Sequence, residues 1–288
     1  MPSSPERRPR ARRPSAKTAY WLILLPAVLM LVALYLVPLA DVLVTSVTDP
    51  KPGLDNYALL FTSASVQKSL LTTVRIALIT TVFALLLGYG VAYAMRAAST
   101  RTQRLMLVLV LLPFWISILV RSFAWIALLG PQGPLNSALM AWGLVDEPLS
   151  LVRNETGVLI GMVHVMVPYA VLTLYANMRG IDGGLVSAAR SLGASRWQAF
   201  RMVFLPLTVP GLIGAGLLVF ILSLGFYITP ALLGGGKVLM IAQYVAIQIN
   251  ETLRWGLGTM LAATLMIAVL GMLWALSRVV DVKRLFGA

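Results

Sequence analysis

Long apolar stretches without charge recur along the chain and alternate with short polar segments. A membrane core of roughly 30 Å requires about 20 apolar residues in a helix that rises about 1.5 Å per residue. Stretches of that length predict transmembrane helices; the fifth is taken from an uncharged run, 202–236, that is too long for one span. The six predicted spans are Trp21–Ala40, Ile76–Met95, Leu105–Leu129, Gly157–Met178, Leu207–Ile228 and Gly256–Ser277.

The first apolar segment follows a group of basic residues, an order that is also typical of a signal peptide. It lacks a clean cleavage site of small residues, and further spans follow it. We therefore interpret it as a retained membrane helix.

The composition supports a membrane protein and excludes several other classes. Hydrophobic residues make up 59% of the 288 residues and charged residues 11%, whereas soluble domains carry about 25% charge. A soluble enzyme is thereby excluded. The chain has no cysteine and one histidine, which excludes disulfides, thiolate metal sites and histidine clusters. The predicted fold class is an all-α polytopic membrane protein.

The basic residues lie mostly on one side of the predicted spans. The two termini, the second-to-third loop and the fourth-to-fifth loop hold 16 of the 23 Lys and Arg residues and three acidic residues, whereas the other side holds seven of each sign. Because cytoplasmic loops retain positive charge, both termini are predicted in the cytoplasm. We interpret residues 1–19 as a basic, disordered cytoplasmic tail that contacts anionic lipid rather than nucleic acid, since it lacks interleaved aromatic residues.

The loop between the fourth and fifth predicted spans has the pattern of two short helices. Gly193 is predicted to end the first helix, because glycine adopts the left-handed conformation without a Cβ penalty. Ser195 and Gln198 have the spacing of a capping box that begins the second, and Pro206 is predicted to close it. The first helix carries an apolar stripe formed by Leu185, Ala188, Ala189 and Leu192, and the second an aromatic face formed by Trp197, Phe200 and Phe204.

An apolar face outside the bilayer must be covered, either by lipid headgroups or by a partner protein. A glycine turn between two apolar stripes favours the groove of a partner protein, because a purely interfacial helix rarely needs such a turn.

This loop resembles the signature of inner-membrane permease subunits of binding-protein-dependent ABC importers. The signature is E-A-A, three residues, G, nine residues, I or V, any residue, then L-P, and the chain departs from it only at Ser187, where the family usually has Glu. The matching residues are Ala188, Ala189, Gly193, Val203, Leu205 and Pro206. Three further segments resemble the spermidine/putrescine-type, first-permease branch of type I importers: PFWISILVRSFAWIALLG from Pro113, GMVHVMVPYAVLTLYANMRGID from Gly161 and LSLGFYITPALLGGG from Leu222.

The resemblance implies a type I importer permease domain over residues 20–288, with a cytoplasmic coupling loop at 180–206. It implies a second homologous permease, two ATPase subunits that bind ATP and Mg, an extracytoplasmic solute-binding protein, and a bacterial inner membrane as the location. This chain itself is expected to hold no cofactor or metal and to catalyse no reaction. The residues expected to couple to the ATPase are Ser187, Ala188, Ala189, Leu192, Gly193, Ala194, Trp197 and Phe200.

Candidate pathway residues surround the end of the fifth predicted span. Proline and three glycines are expected to break the helix over residues 228–236, and irregular backbone at membrane depth is tolerated only where it is buried in protein or lines a watery cavity. By resemblance to the family this segment would gate the pathway; a plain re-entrant connector is the alternative. Arg121, near one end of the third span, is either a structural anchor or a pathway residue. The candidate gate residues beside it are Phe226, Tyr227, Thr229 and Pro230.

Three other motifs are weaker. Gly234–Lys237 differs from a phosphate loop, because Val238 follows the lysine where Ser or Thr is required, so this chain is not expected to hydrolyse ATP. His164 is interpreted as a hydrogen-bonded core residue. Ser195 is not expected to be a nucleophile, since the one histidine lies in a distant span.

The predicted function is the permease subunit of an ATP-driven importer of a small organic nitrogen compound, with a polyamine as the first choice. Many polyamine-type relatives carry Asp where this chain has Phe226, so an amino acid derivative, an organophosphonate or an iron complex stays open. The alternative function is a secondary transporter or channel that works without an ATPase. Such proteins place acidic residues or histidine at mid-membrane and often show inverted repeats, whereas here the acidic residue closest to a span is Asp41, near its end, and no repeat is evident.

Overall fold

A computed structural model describes residues 16–279, and every regular element in that range is helical. The basic tail predicted for residues 1–19 lies almost entirely outside the described residues. The helices are α1 Ala16–Leu31, α2 Val37–Thr48, α3 Asp55–Thr62, α4 Ala64–Ala97, α5 Thr100–Trp115, α6 Ile118–Leu129, α7 Pro134–Ala141, α8 Glu155–Arg179, α9 Gly183–Ser191, α10 Arg196–Ala199, α11 Leu205–Leu224, α12 Ile228–Leu233, α13 Ile241–Asn250 and α14 Trp255–Val279.

The predicted polytopic all-α fold is confirmed, with one change in how the membrane is crossed. Within the described range, five continuous helical stretches are long and apolar enough to span a bilayer, and a bent pair of helices that is apolar enough to form a sixth is either a broken span or a re-entrant loop. That pair is Thr100–Trp115 and Ile118–Ala141, which meet at 98°. The predicted third span, Leu105–Leu129, is therefore not one continuous helix but is divided between the two arms of this pair.

The third span breaks at Ile116, whose backbone is extended. Pro113 has no N–H for the helix ladder, and the Ile116 N–H bonds to the Pro113 carbonyl at 3.3 Å in a closing turn. The new helix starts when the Ser117 carbonyl accepts from the Arg121 N–H at 3.0 Å. Arg121 consequently lies in the second arm of the bend and not inside a straight membrane helix.

Two five-residue π-helical turns, Val32–Leu36 and Phe200–Phe204, each precede a proline. In both turns the N–H just before the proline bonds five residues back, from Val37 to the Val32 carbonyl and from Leu205 to the Phe200 carbonyl. A π turn relieves the clash that a proline ring makes with the preceding helical turn. Both helices therefore continue through the proline, and the prediction that Pro206 closes the second loop helix is wrong.

The continuous stretches also shift the ends of two spans. The first runs over Ile23–Thr48, so its predicted end at Ala40 lies eight residues too early. The fifth runs over Arg196–Leu224, so its predicted end at Ile228 lies four residues too late. Gly225 ends α11.

The packed core lies between α4, α8 and α11. Small residues allow the helices to approach closely: a Cβ on Gly88 of α4 would lie 2.8 Å from the Cβ of Ala170 on α8. Helix α14 packs on α2 and α13, and α12 packs on α6 and α8. The core thus fixes the position of α8. This helix begins at one end of the bundle and ends at the other, where the loop 180–206 follows it.

Candidate coupling loop and pathway

The first loop helix, α9, is capped at both ends. The Asp182 side chain accepts from the Gly184 N–H at 2.8 Å at its start. At its end the N–H groups of Gly193 and Ala194 bond to the carbonyls of Arg190 and Ala189 at 3.0 and 3.1 Å, which is a Schellman motif. Gly193 has φ +94°, so the predicted left-handed glycine stop is confirmed.

The second loop helix, α10, begins with the predicted capping box. The Ser195 N–H donates to the Gln198 side-chain oxygen at 2.8 Å, and the Gln198 N–H donates to Ser195 Oγ at 3.2 Å. Two donors at the start of the helix are thereby satisfied reciprocally. The loop is an ordered pair of helices, not a flexible connector.

The apolar stripe of the loop is uncovered. Leu192 is 88% exposed, Trp197 65% and Leu185 48%. Ser187, Ala188 and Gly193 are also exposed, while Ala189 and Ala194 are half-buried.

The aromatic face predicted for the second helix divides into two parts. Phe204 is buried and Phe200 half-buried, and both rings meet the ring of Tyr93 on α4 edge-to-face, with centroids 5.4 and 5.5 Å away. Trp197 stacks on the outer side of Phe200 at 5.6 Å. The inner rings therefore hold the loop against α4, and Trp197 is the ring that faces outward.

Arg96 is a positioning residue that belongs to none of the sequence motifs described above. From the last turn of α4 its Nε donates to the Met178 carbonyl at 3.1 Å, and its Nη2 donates to the Ile181 carbonyl at 3.2 Å. Its guanidinium also lies 4.7 Å above the Phe204 ring. Arg96 thus connects the end of α8, the start of the loop and the base of α11. In the sequence, the sign of such a role is an arginine at the end of a span with no acidic residue nearby.

The candidate gate is more helical than predicted. The backbone is irregular at residues 225–227 and again at 234–240, and residues 228–233 form α12. Pro230 is the third residue of that helix, where its missing N–H is not required. Thr229 and Pro230 are buried, and Thr229 Oγ1 lies 3.4 Å from Ser122 Oγ on α6. The helix break expected over residues 228–236 is therefore found at 225–227 and at 234–240, and not at residues 228–233.

Two flanking residues of the candidate gate differ in exposure. Phe226 is half-buried between two core clusters, whereas Tyr227 is 45% exposed. Gly161 of α8 makes room for α12, since a Cβ there would lie 2.6 Å from Leu233 Cδ1 and 2.7 Å from Thr229 Cγ2.

His164 is a hydrogen-bonded residue, as predicted. Trp125 Nε1 of α6 donates to His164 Nδ1 at 3.1 Å, with the rings edge-to-face at 5.4 Å. Arg121, one helical turn from Trp125, has a buried Nε without a hydrogen-bond partner among the described residues. The second arm of the bent span, α6, is thus fixed to α8 by a tryptophan and carries an arginine close to that contact.

The family described as binding-protein-dependent transport system inner membrane component matches residues 81–285. This chain belongs to that family. It is therefore a multi-pass inner-membrane transport subunit, as its sequence predicted.

Curated relatives extend this result over most of the permease. This chain is 34% identical to a spermidine/putrescine transport system permease protein of Escherichia coli (strain K12). The match extends over 234 residues, which are 80% of this chain and 84% of the relative. A protein of the same description from Haemophilus influenzae is 34% identical over 206 residues, or 72% of each chain. The expectation of a transport subunit, and of a spermidine/putrescine-type permease resemblance, is confirmed.

Solved structures support the fold. A chain of a bacterial ABC transporter involved in the import of the acidic polysaccharide alginate superposes with a TM-score of 0.74 at 17% identity, over 91% of the permease and 95% of that chain. A related structure, in complex with an alginate-bound periplasmic protein, gives 0.73 at 16% identity, with 91% and 94% covered. The permease therefore has the fold of ABC importer permeases.

Proposed function

We propose that this permease is the membrane subunit of an ATP-driven importer that receives a polyamine from an extracytoplasmic binding protein. The ATP-driven part is carried by the exposed ridge of Leu185, Leu192 and Trp197 on a doubly capped loop. Exposed apolar side chains on a rigid surface are typical of a protein interface. The polyamine part is supported by the two relatives described above, both of which are named as spermidine/putrescine transport system permease proteins.

In this proposal the ridge inserts into an ATPase subunit on the cytoplasmic side. Two ATPase subunits bind the ATP and Mg, and a second, homologous permease supplies the other half of the pathway and the other loop. Ser187, Ala188 and Gly193 are exposed beside the ridge and form its small-residue surface. Phe200 is engaged with Tyr93, so its role is to position Trp197 rather than to contact the partner directly.

Movement of the ATPase would reach the membrane through two connections. The loop is continuous with the fifth span, because the helical stretch runs without a break from Arg196 to Leu224. Arg96 and Tyr93 join the same loop to α4. A displacement of the ridge is therefore expected to turn α11 and α4 together, which changes access to the pathway between the two permeases.

We place the candidate gate at α12 and its flanking residues. Tyr227 is the exposed side chain at the start of this short helix, and Thr229 and Pro230 anchor it against α6. Arg121 lies one residue before Ser122, the polar contact of Thr229, so a movement of α12 would be felt at Arg121. A role for Arg121 in handling the solute is part of this proposal.

The coupling proposal is tested with a matched pair of double variants. Leu192→Ala/Trp197→Ala removes the ridge, and Trp142→Ala/Leu144→Ala removes an equally exposed tryptophan and leucine elsewhere, at 74% and 65% exposure. We expect the ridge variant to lose co-purification with the ATPase at least tenfold, and the control to retain it within twofold. Equal retention by both variants would refute docking through the ridge.

The substrate and the energy source need separate measurements. Spermidine and putrescine are titrated into the cognate binding protein, and a polyamine-dependent fluorescence or thermal shift is expected; no shift with any polyamine rejects the substrate. Uptake by cells that lack the ATPase should be abolished. Undiminished uptake in those cells would favour the secondary transporter or channel instead.

A further inference from the structure

A hollow of about 210 Å³ lies between the coupling loop and the end of α4. Three arginine residues line it: Arg96 from α4, Arg190 from the end of α9, and Arg196 from the start of α10. Its remaining walls are the rings of Tyr93, Phe200 and Phe204 and the side chain of Val186. Three separate helices thus contribute one arginine each to the same space.

These three charges have no carboxylate partner in the described part of the chain. The ion pair found there joins Arg75 to Glu155, at the end of α8 remote from the loop. The acidic residue of the loop, Asp182, caps α9 by accepting from the Gly184 N–H. Neither the Arg190 nor the Arg196 side chain has a hydrogen bond or ion pair within residues 16–279. Like charges placed together repel one another, so the arrangement calls for an anion.

The place and the lining of the hollow indicate what kind of anion fits. It lies beside Ala97, where α4 ends, and beside Arg196, where the fifth helical stretch begins. Its lining combines aromatic and basic side chains, the two kinds that are enriched where membrane helices meet lipid headgroups. Guanidinium groups bind phosphate through two parallel hydrogen bonds, and basic pockets between membrane helices bind anionic headgroups. The apolar rings below the arginines suit the glycerol and upper acyl carbons of a lipid and give nothing to free inorganic phosphate.

We propose that this hollow binds the phosphate headgroup of one anionic phospholipid, such as phosphatidylglycerol. The headgroup bridges Arg190 and Arg196 of the loop to Arg96 of α4, and so neutralises the cluster and stiffens the junction between loop and span. A bound lipid at this point would make the coupling loop sensitive to the anionic content of the membrane. The site does not require the ATPase, so its test is independent of the proposed transport function.

The experiment uses the purified full chain and counts retained lipid by native mass spectrometry after exchange into detergent with phosphatidylglycerol or phosphatidylcholine. The variant is Arg190→Gln/Arg196→Gln, which leaves Arg96 and its bonds to the Met178 and Ile181 carbonyls in place. Arg201→Gln is the control, since Arg201 is exposed on the same helical rod and does not line the hollow. Arg190→Lys/Arg196→Lys keeps the charge but removes the two-pronged geometry.

We expect wild type and Arg201→Gln to retain phosphatidylglycerol in preference to phosphatidylcholine. In the Gln double variant the ratio of the two retained lipids should fall at least tenfold. The Lys double variant should give a ratio between these values. Thermal unfolding without added lipid verifies that each variant is folded. Equal retention by wild type and the Gln variant overturns the site. Stabilisation by inorganic phosphate equal to that by the lipid overturns the lipid assignment. Loss of ATPase binding in the Gln variant with unchanged lipid retention would assign the arginines to the partner protein instead.

Discussion

The N–H of Leu205 donates to the carbonyl of Phe200, one residue further back than an α-helix would place the acceptor. This single wide turn allows the helix to continue past Pro206, so the second helix of the coupling loop and the fifth span form one continuous helix. The turn also sets the rotation of the loop about the axis of the span, because it adds one residue to the local helical count.

The first prediction concerns that rotation. Inserting one alanine after Leu207, in the regular helix α11 beyond the π turn, should rotate the loop by about 100° relative to the span. The ridge would then face a different direction, although the span still folds. We expect binding-protein-stimulated ATP hydrolysis by the reconstituted complex to fall at least tenfold. The control deletes Met202, which is 74% exposed, in a Pro206→Ala background. Four α-helical residues then replace the five of the π turn and turn through nearly the same angle, so most of the activity should remain. Equal activity of the two variants would show that rotation is not transmitted.

A second prediction concerns the turn between the two loop helices. Gly193 has φ +94°, and an L-residue with a Cβ costs about 1–2 kcal/mol in the left-handed region. Gly193→Ala should therefore loosen the Schellman turn and reduce co-purification with the ATPase, while Gly193→Asn should be milder because asparagine tolerates this conformation better.

The matched control for Gly193 is Gly214→Ala in α11, where nothing lies within 4 Å of an added Cβ. That change should leave ATPase binding unaltered and favour the helix slightly. The role assigned to Gly193 is lost if both alanine variants bind the ATPase equally well.

A third prediction concerns the packing of α14. A Cβ on Gly256 would lie 2.0 Å from the Asp49 carbonyl oxygen, a backbone atom that cannot swing aside, whereas a Cβ on Gly271 of the same helix would meet nothing within 4 Å. Gly256→Ala should therefore destabilise the protein by at least about 1–3 kcal/mol through overpacking. Gly271→Ala should be neutral, and thermal unfolding in detergent compares the two. A Gly256→Ala melting curve that coincides with wild type would contradict the contact.

The predictable parts of this structure are those that depend on local chemistry. Apolar length gave the spans, the Ser195 and Gln198 spacing gave the capping box, and Gly193 gave the turn. The bend at Ile116 was not predictable, because the uncharged run continues through it and only tertiary packing decides where a proline-containing span breaks. The prediction that Pro206 ends the second loop helix failed for a related reason. A proline usually ends a helix, and the π turn that lets this helix continue past Pro206 leaves no pattern in the hydrophobicity of the sequence.

The site shows the same division. The exposed stripe of the loop follows from helical spacing, but the role of Arg96 depends on the Met178 and Ile181 carbonyls, 82 and 85 residues away in sequence. Contacts of that range are decided by how α4 and α8 pack. The inward orientation of Phe200 likewise depends on Tyr93 of a distant helix.

The last prediction concerns the contact that fixes the bent span to α8. Trp125 Nε1 donates to His164 Nδ1 at 3.1 Å beside an apolar hollow of about 700 Å³. His164→Phe keeps a ring of similar size but leaves the indole N–H unpaired, which should destabilise the protein by about 1–3 kcal/mol. Trp125→Phe should strand His164 Nδ1 in the same way, although water reaches a ring nitrogen in a half-buried site more easily.

A double-mutant cycle separates the hydrogen bond from simple packing. In Trp125→Phe/His164→Phe both polar atoms are absent and two aromatic rings can still meet edge-to-face, so the double variant should be more stable than the sum of the single losses predicts. Thermal unfolding of the four proteins in one detergent measures the coupling, which we expect at about 1 kcal/mol. Strict additivity would show that Trp125 and His164 contribute independently, and the second arm would then be held by the packing of α6 on its neighbouring helices rather than by this hydrogen bond.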